Sequence, residues 1–257
     1  MLEWGPASGL AAAGFLAGAL NALAGGGGFI VLPVLMLAGS PAIRANASGS
    51  LAVWPGVLMT MLAFRHSLGR SQVSLPLFAG IGIVGSVLGA FLLLYTSNAA
   101  FIGMLPWLLL AATLLFLFGP RLTQAALARG GSWAQLHRRP WLVPVLLSVV
   151  AVYGGYFGGG MGIMTLAVLA LLGLTDIHEL NAVKALLVFF ISTVCGLVFI
   201  WQGAVDWKPV LPMMAGNALG GYAASKWAMG LPKPLLRKVI SGLCILITLA
   251  YFAKAWF

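Results

Sequence analysis

The chain has 257 residues, of which 61% are hydrophobic and 7% are charged, and its mean hydropathy is +1.06. Soluble domains carry about 25% charged residues, so this composition excludes a soluble globular protein and indicates a polytopic membrane protein. The net charge of +10 does not indicate nucleic-acid binding, because the basic residues lie in short loops between apolar runs. There the positive-inside rule and anionic lipids account for them.

Apolar runs of membrane-spanning length follow one another along the chain. Six of them suit single spans, at 42–64, 72–95, 99–118, 180–201, 209–229 and 235–256. Two more, at 7–38 and 141–174, are too long to cross a hydrocarbon core of about 30 Å as one helix. We therefore predict an all-α integral membrane protein in which each long run consists of two helical pieces.

Glycine clusters interrupt both long runs. They contain Gly25, Gly26, Gly27 and Gly28 in the first run, and Gly158, Gly159, Gly160 and Gly162 in the second. Glycine costs about 1 kcal/mol against alanine inside a helix, and unwound backbone at membrane depth requires protein or a water-filled cavity around it. Close helix packing would explain one cluster, but two clusters in matching positions indicate a transporter binding site.

The two halves of the chain resemble each other. A shift that places Gly25 on Gly159 also places Ser50 on Lys184. We predict a first transmembrane repeat at 1–118, a basic cytoplasmic linker at 119–140 and a second repeat at 141–257. Each repeat would be a glycine-broken hairpin and three transmembrane helices. Such a unit crosses the membrane an odd number of times, so the repeats are predicted to be inverted.

The basic residues favour hairpins that return to the side from which they came. With that path ten basic residues share one side and three lie opposite, whereas single crossings throughout would give eight against five. The positive-inside rule then places the basic loops in the cytoplasm and both termini outside it.

Lys184 is the charged residue that lies clearly within a predicted span. Charged side chains there usually face a cavity or a partner, although snorkelling to the interface is an alternative. Its partner could be Asp176, Glu179 or a bound anion. Together with helix N-termini at the glycine breaks, Lys184 would form a site for a small anion. Neutral candidates for lining that site are Asn21, Asn46, Ser48, Ser50 and Asn181.

Enzymatic interpretations are weak. The residues Ala47-Ser48-Gly49 are faintly similar to an intramembrane serine protease nucleophile, but no histidine lies within another span to act as base. No metal-ligand cluster and no nucleotide-binding motif is present in the sequence. We expect no enzyme, no cofactor and no metal. Secondary transport is the expected mechanism, with a proton or another ion as a candidate for coupling.

The chain resembles the TauE/SafE sulfite exporter-like anion permeases of bacterial inner membranes. The resemblance covers nearly the whole chain and rests on Gly-Gly-Gly-Gly-Phe-Ile-Val-Leu-Pro at 25–33, Ala47-Ser48-Gly49-Ser50-Leu51, and the run from Gly158 to Asn181-Ala182-Val183-Lys184. It implies an eight-span inner-membrane protein that moves sulfite, sulfonates or other sulfur-containing organic anions, often by export. A passive anion channel and a non-transporting scaffold or sensor stay open as alternatives.

Overall fold

The computed structural model describes residues 4–24, 27–68, 74–128, 141–171, 174, 176–227 and 233–256. These residues contain ten α-helices and no strand, which confirms the all-α prediction. The helices are α1 (Trp4–Ala24), α2 (Gly28–Leu37), α3 (Ala42–Leu68), α4 (Leu75–Tyr95), α5 (Asn98–Ala128), α6 (Leu142–Tyr156), α7 (Met161–Leu171), α8 (Ile177–Trp201), α9 (Trp207–Trp227) and α10 (Lys233–Trp256).

Both long apolar runs are broken at their glycines, as predicted. The first run forms α1 and α2, and the second forms α6 and α7. In each case the two pieces pack against each other. Gly25 and Gly26 lie outside the described residues, so the first break is described from Gly27 onward.

Among the residues that the structure describes, three helical segments are long and apolar enough to cross a membrane by length and composition: Leu75–Tyr95, Asn98–Gly119 and Glu179–Trp201. The long helices α3, α9 and α10 carry more polar and charged residues than these segments. In α3 several of these residues face the protein interior, where Asn46 and Ser48 are buried. Helix α5 continues to Ala128, so the first part of the predicted linker is helical.

Glycine allows two helix pairs to approach closely. A Cβ atom added to Gly14 or Gly18 on α1 would overlap the backbone of Met213 or Asn217 on α9. On α4, a Cβ atom added to Gly89 would likewise overlap the backbone of α6. Small residues at helix contacts in membranes permit such close backbone packing. The first piece of each broken run is thereby fixed against a helix from the other half of the chain.

Helices α3 and α8 pack against each other at the centre of the helical assembly. The indole Nε1 of Trp54 on α3 donates to Thr193 Oγ1 on α8 at 2.9 Å. Helix α2 packs on α3, and α7 packs on α8. The two short helices that follow the glycine breaks therefore flank the central pair, and a cavity lies between them.

Candidate functional site

The two glycine breaks meet. A Cβ atom added to Gly28 would lie 4.0 Å from the Cα atom of Gly159. Around this contact lies a cavity of about 120 Å³, bounded mainly by α2, α3, α7 and α8. This volume suits a small ion or a few water molecules. The predicted site residues that line it are Asn21, Gly28, Asn46, Ser50, Gly158, Gly159, Gly160, Gly162 and Lys184.

The second break is a turn that requires glycine. Gly158 and Gly160 have φ angles of +76° and +75°, a conformation that side chains with a Cβ atom rarely adopt. The Tyr153 hydroxyl donates to the Gly159 carbonyl at 2.6 Å and closes the turn. Helix α7 then begins at Met161, and its first turn lines the cavity.

At the first break, glycine at position 27 is required for a different reason. Gly27 has an ordinary helical φ of −55° and caps α2. A Cβ atom added there would lie 2.7 Å from the Ala17 carbonyl oxygen, because the chain folds back onto α1. Helix α2 begins at Gly28, which lines the cavity. The N-termini of α2 and α7 therefore both reach this cavity.

Asn46 joins the start of α3 to the second break. Its Nδ2 donates to the carbonyl oxygen of Tyr156, the last residue of α6, at 2.8 Å. Four residues further along α3, the Ser50 hydroxyl donates to the Asn46 carbonyl at 3.2 Å. Asn46 thus supplies a donor to a carbonyl at the end of α6, where the helix has no further turn to satisfy it.

Lys184 brings a positive charge to the cavity from α8. Its ammonium Nζ donates to Asn181 Oδ1 at 3.1 Å. A Cβ atom added to Gly162 would lie 3.9 Å from Lys184 Cδ, so the lysine stem passes beside the first turn of α7. Because the Asn181 amide is neutral, this hydrogen bond orients the ammonium without neutralising its charge.

Other predicted site residues lie outside the cavity wall. Ser48 is buried, and its Oγ accepts the N–H of Asp206 at 2.8 Å. Asn181 accepts the hydrogen bond from Lys184, and Gly27 packs on α1. Beside Ser48, the Arg44 guanidinium donates to the Gly203 carbonyl at 2.6 Å and lies 3.9 Å from Asp206. These contacts fix the start of α3 to the loop between α8 and α9.

Sequence reasoning missed Asn217, which is fully buried within α9. Its Oδ1 accepts the Gly56 N–H at 3.2 Å, next to residues of the cavity wall. An asparagine inside an apolar span was the available signal, since polar residues within membrane helices usually face the protein interior.

The chemistry of the cavity wall favours a negatively charged ligand. Lys184 and two helix N-termini supply positive potential, and the described wall contains no acidic side chain. Hydroxyl and amide groups from Ser50, Asn46 and Asn21 add neutral hydrogen-bonding partners. Among the described residues, no group of three His, Cys, Asp or Glu side chains could hold a metal ion.

Comparison with known proteins gives a consistent match along the chain. Residues 10–251 match the family model described as Sulfite exporter TauE/SafE. A "Probable membrane transporter protein" of Haemophilus influenzae is 31% identical over 249 residues, which cover 95% of this chain and 94% of the relative. The "Probable membrane transporter protein YfcA" of Escherichia coli K12 is 30% identical over 232 residues, with coverage of 88% and 81%. No solved structure matches the chain significantly.

Proposed function

The chain belongs to the sulfite exporter TauE/SafE family, a family of membrane transporters, and on that premise we propose that it is a secondary exporter of a small anion. The proposed substrate is sulfite, an organosulfonate or another sulfur-containing organic anion. It binds between the two glycine breaks, and alternating access exposes it to each side of the membrane in turn. The family description and the positive potential of the cavity support this assignment.

The observation that carries the proposal is the position of Lys184. Its ammonium reaches a cavity on which the N-termini of α2 and α7 also converge. A charge at this depth is costly unless a ligand or partner uses it. An oxyanion would receive one charge-assisted hydrogen bond from Lys184 and backbone N–H donors from the helix ends.

We further propose that the chain consists of two inverted repeats, at 1–118 and 141–257, joined by the basic linker at 119–140. When each helix of α1–α5 is replaced by its counterpart in α6–α10, and the reverse, most of the principal helix contacts are reproduced. For example, the contact of α1 with α9 becomes the contact of α6 with α4. Along α1, Gly14 faces Met213 and Gly18 faces Asn217, so α1 runs parallel to α9. Helix α6 likewise runs parallel to α4. In the hairpin topology favoured by the basic residues, α4 starts at the cytoplasmic face of the membrane and α9 starts at the opposite face. The two hairpins, which run parallel to α4 and α9, would therefore also start from opposite faces.

The same arrangement gives a proposed orientation in the bacterial inner membrane. The loops after α3 and α9 with the helix ends that flank them, together with the linker, carry ten of the 14 Lys and Arg residues and lie in the cytoplasm by the positive-inside rule. Both termini and the Arg44–Asp206 contact then lie on the periplasmic face.

The test uses purified protein reconstituted in liposomes and loaded with radiolabelled sulfite. A carrier gives saturable efflux that external unlabelled sulfite accelerates, whereas a channel gives flux without such exchange. Lys184→Ala is expected to lower sulfite flux at least about tenfold, because one charge-assisted hydrogen bond is lost. Lys208→Ala, which removes an exposed lysine at the start of α9, is the matched control. Unchanged flux in Lys184→Ala would contradict the proposed site.

A further inference from the structure

The central helices α3 and α8 run in opposite directions. Arg44, near the start of α3, donates to the Gly203 carbonyl just after the end of α8 at 2.6 Å. Further along α3, Trp54 donates to Thr193 within α8. As the residue number rises along α3, the number of its partner therefore falls along α8. The start of each helix lies beside the end of the other.

The cavity extends along both of these helices. On α8 it is lined by residues from Lys184 to Cys195, and on α3 by residues from Asn46 to Thr60. Cys195 comes eleven residues after Lys184. At about 1.5 Å per residue, these two wall residues are about 16 Å apart along the helix axis. A small oxyanion is much shorter than this distance, so it meets different side chains at the two ends of the cavity.

Lys184 and Ser50 lie towards opposite ends. Ser50 belongs to the end at Cys195, because its neighbour Leu51 contacts the next residue of α8: a Cβ atom added to Gly196 would lie 3.0 Å from Leu51 Cδ2. The Lys184 ammonium donates to Asn181, one turn nearer the start of α8, and thus points away from that end. In the described part of the wall no other charged side chain is present. One end of the cavity is therefore cationic and the other is neutral.

The proposed membrane orientation assigns a side to each end. The Arg44–Asp206 contact lies on the periplasmic face in that orientation, and it joins the start of α3 to the loop after α8. Because the two helices are antiparallel, the start of α8 lies on the cytoplasmic side. Lys184 is then at the cytoplasmic end of the cavity, and Ser50 is at the periplasmic end.

We propose that Lys184 forms a capture position for the anion on the cytoplasmic side, and that the neutral end around Ser50 is the position from which the anion is released. This inference rests on the proposed function and its orientation. A cavity open to the cytoplasm offers the anion a charge-assisted hydrogen bond, whereas a cavity open to the periplasm offers neutral hydroxyl and amide groups. The anion therefore binds more tightly from the cytoplasm, which suits an exporter that clears a dilute solute and releases it outside.

Uptake of radiolabelled sulfite into two kinds of bacterial membrane vesicle measures the affinity on each side. Inside-out vesicles present the cytoplasmic face to the medium, and right-side-out vesicles present the periplasmic face. Vesicles from cells without the protein give the background. We expect the KM for sulfite to be at least about ten times lower in inside-out vesicles, because one charge-assisted hydrogen bond changes a binding constant by about that factor or more.

Moving the charge from one end to the other is the decisive change. Lys184→Ser should raise the KM in inside-out vesicles to the value of right-side-out vesicles. Adding Ser50→Lys should then reverse the order of the two values. Arg121→Gln is the matched control, because Arg121 is an exposed cation that the proposed orientation also places on the cytoplasmic side, outside the cavity wall. This control should keep the wild-type difference.

Thermal unfolding of each purified variant shows which of them fold, and Lys184→Gln replaces Lys184→Ser or the double variant if either does not. Equal KM values in the two kinds of wild-type vesicle overturn the inference but leave the proposed transport intact. So does a lower KM in right-side-out vesicles, or a difference that survives the loss of the lysine. Absence of sulfite and methanesulfonate uptake in both kinds of vesicle overturns the proposed function together with this inference.

Discussion

The two glycine breaks look alike in the sequence but differ physically. In the second, Gly158 and Gly160 have positive φ angles, so the backbone conformation itself requires glycine. In the first, Gly27 has a helical φ of −55°, and glycine is required because the Ala17 carbonyl leaves no room for a side chain. The same residue type thus serves conformation in one half and close packing in the other.

The halves also differ in what stands beside each break. The second turn is closed by the Tyr153 hydroxyl, and Lys184 lies beside the first turn of α7. Ser50, which the internal match pairs with Lys184, bonds within its own helix. The second half therefore supplies the positive charge at the cavity. In the proposed inverted-repeat transporter, a single cation would hold the anion without a second cation that binds it too tightly.

The largest expected effect comes from exchanging these paired residues. Lys184→Ser is expected to lower sulfite affinity by about 10- to 100-fold, because a charge-assisted hydrogen bond contributes about 1.5–3 kcal/mol. Adding Ser50→Lys to that variant returns a cation to the cavity wall and is expected to recover part of the affinity. Equilibrium binding of radiolabelled sulfite to the single and double variants measures both effects. A double variant no better than Lys184→Ser would show that the positions are not equivalent.

Alanine at the breaks should separate conformation from packing. Gly160→Ala is expected to cost about 1–2 kcal/mol of unfolding free energy, from the left-handed backbone. Gly27→Ala is expected to cost about 1–3 kcal/mol, from overpacking against α1. Gly28→Ala, at the first residue of α2 and with ordinary contact distances, should change the unfolding free energy by less than about 1 kcal/mol.

Asparagine distinguishes the two causes, because it tolerates the left-handed conformation but is larger than alanine. Gly160→Asn should therefore be less destabilising than Gly160→Ala, whereas Gly27→Asn should be worse than Gly27→Ala. Thermal unfolding of each purified variant in detergent gives the order. The opposite order at either position would refute the cause assigned to it.

The smallest effect is expected at the hydroxyl that closes the second turn. Tyr153→Phe removes the hydrogen bond to the Gly159 carbonyl and should cost about 0.5–1.5 kcal/mol of unfolding free energy. Tyr222→Phe, at an exposed position on α9, is the control and should change stability little. If both variants unfold alike, the turn does not depend on Tyr153 for its stability.

The broken helices could be predicted because glycine acts locally, and Lys184 stood out because a charge inside an apolar span is rare. The partners of the other polar residues could not be predicted. Ser48 was expected at the site, but its hydroxyl accepts the N–H of Asp206 from a loop far along the chain. Asn217 meets Gly56 across a contact between α9 and α3. Sequence spacing gives the position of a side chain on its own helix, but not the helix that will face it.

The close packing of α1 on α9 has a consequence for biosynthesis. Helix α1 is made first, yet the helix that overlies Gly14 and Gly18 is made almost last. Until then these glycines leave a strip of α1 backbone without its partner, and such late, long-range pairing slows folding. Helices α4 and α6 lie much closer in the chain and can pair while synthesis continues. Of these two close helix pairs, α4–α6 should therefore form before α9 docks on α1.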